Sequence, residues 1–200
     1  MYMKRLINKI VEIDNKVLNF FNRNNKPALA KIFSKLTLLG NGGVYAIIIF
    51  IVMFLYPLTR YQSYLIGVAS GINAIVVNLI VKRIAKRTRP FNLNDIDIMI
   101  AHPKDYSFPS GHTSITAAAT VVLIYYGIYY NIGVWFIILN ILFLFLMGLS
   151  RLYLKVHFLS DVIVGGIIGL FIGLMTILFR EQICFISNSI VEYIFTFGSK

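Results

Sequence analysis

Long apolar runs, separated by short polar or basic segments, dominate the sequence from residue 44 onward. Five runs approach the roughly 20 mostly apolar residues that a helix needs to cross a bilayer: residues 44–58, 64–81, 115–130, 132–149 and 162–179. We predict helices because barrel strands would alternate apolar and polar residues, and an open sheet cannot satisfy its backbone in lipid. The sequence therefore predicts an all-α fold, a multi-pass transmembrane helical bundle.

The first 40 residues follow a different pattern, in which charged residues interrupt apolar residues at helical spacing. Such an amphipathic helix is typical of the headgroup region of a membrane, and its charges argue against a cleavable signal peptide. A second short helix is expected at residues 28–39, and it would give six spans rather than five if it helped to form a crossing. We divide the chain into N-terminal amphipathic helices (1–40), a membrane-embedded domain (41–180) and a C-terminal tail (181–200).

The composition supports a membrane protein and argues against other classes. Of the 200 residues, 58% are hydrophobic, and the mean hydropathy is +0.77; soluble domains are usually about 45–50% apolar. The net charge of +11 would also suit a nucleic-acid binder, but the basic residues form no continuous face, so we expect no nucleic-acid partner. Cys184 is the only cysteine, which excludes a disulfide within the chain and a cysteine metal site.

Three polar clusters lie at the ends of the predicted spans, where burial of a polar group is costly and therefore informative. Each also has a simpler explanation: membrane-flanking charge for the first, an ordinary capped helix for the second and a surface salt bridge for the third. The clusters are Lys82 with Arg89-Pro90, then Pro109-Ser110-Gly111-His112, and then Ser150-Arg151 with His157 and Asp161.

The second and third clusters contain residue types that bind and attack an anion. Ser110 suits a helix N-cap, and Gly111 lets the backbone approach a ligand closely. The free N–H groups and the helix dipole at that end favour an anion, which His112 would face from the first turn. His157 and Asp161 would share one face if their segment is helical, and a carboxylate on one ring nitrogen leaves the other as a nucleophile or base.

The predicted topology brings the three clusters to one face of the membrane. The second span ends and the third begins on one side, and the third and fourth spans cross and return to it. Cations, backbone N–H groups and two histidines would there form a phosphate site with catalytic groups. We predict that Lys82, Arg89, Ser110, Gly111 and Arg151 bind phosphate and that His112, His157 and Asp161 are catalytic.

These residues resemble the three-part signature of the type 2 phosphatidic acid phosphatases, a superfamily that also includes bacterial undecaprenyl-diphosphate phosphatases and vanadium haloperoxidases. The matching pattern is Lys82-x6-Arg89-Pro90, Pro109-Ser110-Gly111-His112 and Ser150-Arg151-x5-His157-x3-Asp161. The resemblance implies hydrolysis of a lipid phosphate without a metal or another cofactor. It implies that His157 forms a phosphohistidine, that Asp161 orients His157, and that His112 protonates the leaving group and then activates water.

Several alternatives stay open at this point. A non-enzymatic lipid or anion transporter would explain the cations but would not need His112, His157 and Asp161 together, and a haloperoxidase would require vanadate. Phosphatidic acid, phosphatidylglycerol phosphate and undecaprenyl diphosphate fit equally as substrates, and the sequence predicts no oligomeric state. Related bacterial enzymes usually face outward, so the resemblance favours an extracytoplasmic site in the cell membrane. By the positive-inside rule, the basic N-terminal region is itself expected on the cytoplasmic side of the membrane.

Two further groups of residues receive structural interpretations. Glycines four positions apart on the last span, and a similar pair on the second, predict surfaces for close helix packing. The polar residues before the second cluster are interpreted as solvated loop residues in preference to a substrate entrance. The glycines are Gly165, Gly169, Gly173, Gly67 and Gly71, and the loop residues are Asp95, Asp97, His102, Lys104, Asp105 and Tyr106.

Overall fold

Every regular element in the described part of the chain is helical, which confirms the predicted fold class. The structure is a computed structural model, and it describes residues 2–94, 96, 98 and 100–197. Asp95, Asp97 and the last three residues of the predicted tail lie outside the described residues. The helices are α1 (Tyr2–Arg23), α2 (Pro27–Leu38), α3 (Val44–Leu55), α4 (Arg60–Asn73), α5 (Lys82–Ala85), α6 (Pro90–Asn94), α7 (Gly111–Tyr129), α8 (Val134–Tyr153), α9 (Leu159–Leu178) and α10 (Arg180–Phe197).

Four of the five apolar runs lie in helical segments that are long and apolar enough to cross a membrane, counted over the described residues. These segments are Pro57–Leu93, Gly111–Tyr129, Val134–Tyr153 and Leu159–Leu178. The first apolar run forms α3, which has 12 residues and is shorter than the predicted span. It ends at Leu55 because Pro57 restricts the residue before it and has no N–H group to continue the helix.

The second span changes its helical geometry before it reaches the polar cluster at its end. α4 continues into a π-helical segment, Ala74–Val81, and then directly into α5. Such segments change which side chains face the neighbouring helices, and they often occur at functional sites. Lys86 then adopts a left-handed conformation with φ 46° and ends α5.

The central helix of the bundle is α7, which packs against α4, α8 and α9. Its contact with α9 is close because α9 presents glycines to it. A Cβ atom at Gly165 would lie 2.6 Å from the Ser110 carbonyl oxygen, and one at Gly169 would overlap the Ser114 carbonyl group. The glycines of the last span therefore form a packing surface, as the sequence predicts.

The glycine pair on the second span behaves differently at its two positions. Gly67 packs against the Phe50 ring, where an added Cβ would lie 3.1 Å from the ring edge. A Cβ at Gly71 would meet no atom within 4 Å. The packing prediction for Gly71 is therefore wrong, because a groove separates α3 from α4 at this level.

The N-terminal helices lie at the end of the bundle where α8 ends and α9 begins. α1 contacts α8 and α9, and α2 contacts α8. Apolar side chains of α1, such as Ile7 and Val11, are exposed, whereas Asp14 is buried. This arrangement agrees with an amphipathic helix, and it brings the N-terminal segment to the same end as the three polar clusters.

Candidate active site

α5 and the connection that follows it position two cations. Lys82 begins α5, Arg89 lies in the connection, and both side chains are buried. Lys82 Nζ pairs with Asp105, and Arg89 Nη2 lies 2.6 Å from Asp105 Oδ1. Arg89 also donates to the carbonyl oxygens of Asp105 at 2.9 Å and Val156 at 2.8 Å. These contacts hold the two cations beside one carboxylate.

Asp105 is therefore part of the site, and its interpretation as a solvated loop residue is wrong. Burial opposes ionisation of Asp105, but Lys82 and Arg89 outweigh burial and lower its pKa from 3.8 to about 2. The carboxylate remains ionised at neutral pH, although its side chain is 52% exposed. His102, Lys104 and Tyr106 from the same loop are exposed, and His102 also lines the cavity described below.

The second cluster begins α7. Ser110 is the N-cap residue: its Oγ accepts from the Thr113 N–H at 3.5 Å, and its own N–H donates to the Asp161 carbonyl oxygen at 2.9 Å. A Cβ atom at Gly111 would lie 3.0 Å from Asn78 Oδ1 and 3.8 Å from Lys82 Nζ. Glycine therefore keeps space between the positive end of α7 and the lysine.

His112 and Arg151 contact residues that come from the segment around α2. His112 Nε2 lies 2.9 Å from Asn41 Oδ1, and Arg151 Nη1 donates to Thr37 Oγ1. Arg151 is 2% exposed, and its Nε has no hydrogen-bond partner among the described residues. A buried guanidinium N–H without a partner is costly, and it is therefore suited to an incoming anion.

His157 and Asp161 meet through a turn and not along one continuous helix. α9 begins at Leu159, so His157 lies in the turn between α8 and α9, and the helical segment on which the sequence argument was conditional is not present. Asp161 Oδ2 accepts from the Phe158 N–H at 2.9 Å and thereby caps α9. This capping contact brings the same oxygen to 3.6 Å from His157 Nδ1.

The other ring nitrogen of His157 faces the cations. Arg89 Nη1 lies 3.1 Å from His157 Nε2. Burial, with Arg89 and Arg151 nearby, holds the pKa of His157 well below 6.5. The imidazole is neutral at pH 7, so one ring nitrogen is available as a nucleophile or base.

Three residues around Asp161 were missed by the sequence interpretation. Arg87 Nη1 lies 2.6 Å from Asp161 Oδ1, and the Ser107 hydroxyl donates to Asp161 Oδ2. Arg87 also pairs with Asp14 at 2.7 Å. The sequence does not distinguish Arg87 from the basic residues beside it, and Asp14 is one of several charges in an amphipathic helix. No local signal in the sequence identifies Arg87 or Asp14 as a partner in the site.

A cavity of about 520 Å³ brings the polar groups together. Its volume is in the range of small-molecule sites in proteins. Ser110, His157 and Asp161 are buried beside it and connect to it through the contacts described above. Five predicted site residues line the cavity itself: Lys82, Arg89, Gly111, His112 and Arg151.

An apolar groove of about 320 Å³ between α3 and α4 adjoins this cavity. Gly43, Ala74 and Ile115 line both spaces. Phe50 and Gly71 are among the residues that extend the groove away from the cations. A polar cavity with an apolar extension suits a ligand that has both a charged head and a hydrophobic tail.

The fold and the site define a multi-pass helical membrane protein with a cationic cavity and two histidines. The family model of the PAP2 superfamily, the type 2 phosphatidic acid phosphatases, matches residues 61–183. The chain therefore belongs to the PAP2 superfamily, and the resemblance noted from the three clusters is confirmed.

Individual relatives extend this comparison. The chain is 34% identical over 111 residues to an undecaprenyl-diphosphatase of Sulfolobus acidocaldarius, which covers 55% of this chain and 52% of that protein. It is 29% identical over 167 residues to phosphatidylglycerophosphatase B of Bacillus subtilis, which covers 79% and 78% of the two chains. This chain thus spans about half the length of the Sulfolobus protein.

A solved structure supports the same assignment. The crystal structure of a transmembrane PAP2-type phosphatidylglycerolphosphate phosphatase from Bacillus subtilis has a TM-score of 0.74 to this chain. The two chains are 26% identical, and the superposition covers 88% of each. The similarity therefore includes most of the helices described here.

Proposed function

We propose that the protein is a phosphatase that hydrolyses a phosphomonoester or diphosphate of a membrane lipid. The observation that carries this proposal is the position of His157. Its Nε2 atom lies 3.1 Å from Arg89, beside a cavity that Lys82 and Arg151 also line, while its Nδ1 atom faces Asp161. A neutral imidazole that is oriented by a carboxylate and directed at cationic side chains has the arrangement of an activated nucleophile.

The proposed reaction proceeds through a phosphohistidine. His157 Nε2 attacks phosphorus, forms the N–P bond and displaces the leaving oxygen, to which His112 donates a proton. His112 then accepts a proton from water as the water hydrolyses the N–P bond and releases phosphate. Lys82, Arg89 and Arg151 neutralise the phosphoryl oxygens, whose charge is spread in the transition state. These residues supply the positive charge themselves, so we propose that the reaction requires no metal ion.

A lipid substrate is favoured by the surroundings of the cavity. Apolar helices surround the polar site, and the groove between α3 and α4 shares part of the cavity lining. We propose that this groove accepts the hydrophobic tail while the head group binds the cations. The names of the relatives make undecaprenyl diphosphate and phosphatidylglycerol phosphate the first substrates to test, with phosphatidic acid as a third.

The domain boundaries and the orientation in the membrane also belong to the proposal. Residues 41–180 would form the phosphatase domain, but Asp14 and Thr37 connect the first 40 residues to it. We propose that the site faces outward, as the family resemblance implies. The basic helices α1 and α2 lie at the same end, and the positive-inside rule alone would favour the opposite orientation.

The test is phosphate release by the detergent-purified protein, offered the three lipids in the presence of EDTA. Wild-type protein should release phosphate, and His157→Ala should reduce release to background because no nucleophile remains. His102→Ala is the control, because His102 lines the same cavity but has no role in the proposed chemistry. Trapping of radiolabelled phosphate on wild-type protein but not on His157→Ala would support the covalent intermediate.

Two results would contradict the proposal. Normal turnover by folded His157→Ala would remove the covalent mechanism. A folded wild-type protein that releases no phosphate from any of the three lipids would favour the alternative function, a lipid or anion transporter with a phosphate site.

A further inference from the structure

We propose that Asp14 of α1 and Arg87 are positioning residues for Asp161 and that together they set the charge that His157 experiences. This inference rests on the proposed function, because it concerns the nucleophile of that reaction. It assigns a role in catalysis to the N-terminal helix, which contributes no residue to the three clusters.

The geometry is a chain of ionic contacts that begins in α1. Asp14 is 2% exposed, and its Oδ2 atom lies 2.7 Å from Arg87 Nη2. The other terminal nitrogen of Arg87 lies 2.6 Å from Asp161 Oδ1, so one guanidinium joins two carboxylates. Asp161 then uses its second oxygen for the contact with His157.

Other contacts fix the same groups. Asp14 accepts hydrogen bonds from the Ser160 N–H at 2.9 Å and the Ser160 hydroxyl at 2.6 Å. The Arg87 guanidinium lies over the Phe158 ring, 4.1 Å from its centroid, and also donates to Ser160 at 2.7 Å. Asp14 thereby attaches α1 to Ser160, one position before Asp161. Arg87 contacts Phe158, the residue that follows His157.

The carboxylates of Asp14 and Asp161 stabilise a positive charge on His157, and the guanidinium of Arg87 opposes it. Asp14, Arg87 and Asp161 together carry one net negative charge, which favours a positive charge on the imidazole. Neutralising Asp14 would leave the group without net charge, and neutralising Arg87 would leave two negative charges. A positively charged His157, whether protonated or phosphorylated, is therefore disfavoured by the first change and favoured by the second.

His157 also experiences charges from the other elements around it. Arg89 contacts Nε2 directly, Lys82 and Arg151 lower the proton affinity of the ring, and Asp105 raises it. His112 lies close enough to interact electrostatically with His157. These groups are unchanged in the variants below, so a difference in pH dependence between the variants reports the effect of the Asp14–Arg87 pair on His157.

The experiment is the pH dependence of kcat/KM for phosphate release by the full-length purified protein. The acidic limb of this profile reports protonation of the nucleophile in the free enzyme. Asp14→Asn should move the acidic limb to lower pH and Arg87→Gln should move it to higher pH, each by roughly 0.5 pH unit or more. The double variant Asp14→Asn/Arg87→Gln restores one net negative charge, so its limb should return toward the wild-type position.

The single variants should also lower kcat by roughly tenfold or more, as loss of an outer partner does for metal-binding histidines. KM should change little, because neither residue lines the cavity. Glu12→Gln and Arg83→Gln are matched controls: each removes the same type of charge at an exposed position nearby. Both should keep the wild-type profile.

The outcomes separate the two proposals. If the wild-type protein releases no phosphate, the proposed function fails. If wild-type protein is active and both single variants keep the wild-type acidic limb, the positioning role is wrong, even when their rates fall. If Asp14→Asn does not fold, Arg87→Lys and Arg87→Gln decide: a limb that moves with glutamine but not with lysine supports the role, and any other result contradicts it.

Discussion

The Asp105 carboxylate contacts two of the cations that we propose bind the phosphoryl group, Lys82 and Arg89. Its lowered pKa, about 2, means that it remains negative over the pH range in which a phosphatase works. An anionic substrate must therefore compete with this carboxylate or share the cations with it. Because the side chain is half exposed, Asp105 can move away without opening the helical core.

Asp105→Asn should therefore bind small anions more tightly. We expect the inhibition constant for inorganic phosphate to fall by roughly threefold or more, because removing one opposing charge near the site is worth about 1 kcal/mol. Phosphate inhibition of lipid hydrolysis measures this constant, and Lys104→Gln, which alters an exposed neighbour, is the control. A rise in the constant would instead indicate that Asp105 orients the two cations for binding.

At the scale of elements, the contact between α7 and α9 holds two parts of the site together. α7 begins with Ser110 and His112, and α9 begins two residues after His157. The glycines of α9 let the two backbones approach so closely that the Ser110 N–H reaches the Asp161 carbonyl oxygen. Packing at the middle of these helices therefore determines the geometry at their ends.

Gly169→Val should disrupt this packing. Its side chain would overlap the Ser114 carbonyl group, so the helices must separate, at a cost of about 1–3 kcal/mol or more. We expect a lower thermal midpoint in detergent and reduced activity. Gly71→Ala is the control, since a Cβ there meets no atom within 4 Å. Equal stability of the two variants would contradict the role of the glycine contact.

The groove between α3 and α4 provides a second test at this scale. Gly71→Leu would fill part of the groove without contacting the cations. If the groove accepts the lipid tail, hydrolysis of a long-chain substrate should fall by about tenfold, as when an overpacked pocket rejects its ligand. Hydrolysis of a water-soluble aryl phosphate should be unchanged. Val52→Phe, at an exposed position of α3 outside the groove, should affect neither substrate.

At the scale of the whole molecule, the two ends of the bundle differ in charge and chemistry. The site, α1 and α2 lie at one end. The other end carries tyrosines and the start of α10, where the Cys184 thiol donates to the Tyr61 carbonyl oxygen. The orientation of the protein in the membrane would therefore decide which side of the cell receives the phosphate released in the proposed reaction.

A membrane-impermeant maleimide can determine this orientation in intact cells. In a Cys184→Ser background, Lys104→Cys marks the site end, and Glu181→Cys marks the other end; both positions are exposed. The outward orientation predicts labelling of Lys104→Cys in intact cells and of Glu181→Cys only after permeabilisation. The reverse pattern would place the site in the cytoplasm, in agreement with the positive-inside rule.

The sequence by itself determined the features that depend on neighbouring residues. Apolar runs identified the helices, because a span must be apolar along its length. The Ser110 cap of α7 was predictable because capping is a contact within one helical turn. The family and the set of eight proposed site residues also followed from the sequence, because the three clusters have characteristic spacing. The length of α3 did not follow from the apolar run alone, because Pro57 ends the helix within that run.

Only the tertiary structure decided which distant residues meet. Lys82 and Asp105 are 23 positions apart, Arg87 and Asp14 are 73 apart, and Arg87 and Asp161 are 74 apart. No local pattern indicates these pairs, because their contacts depend on how closely separate helices pack and on where the turns between them lead. For the same reason, Asp105 resembled a solvated loop residue and Asp14 resembled one charge among many on an amphipathic helix.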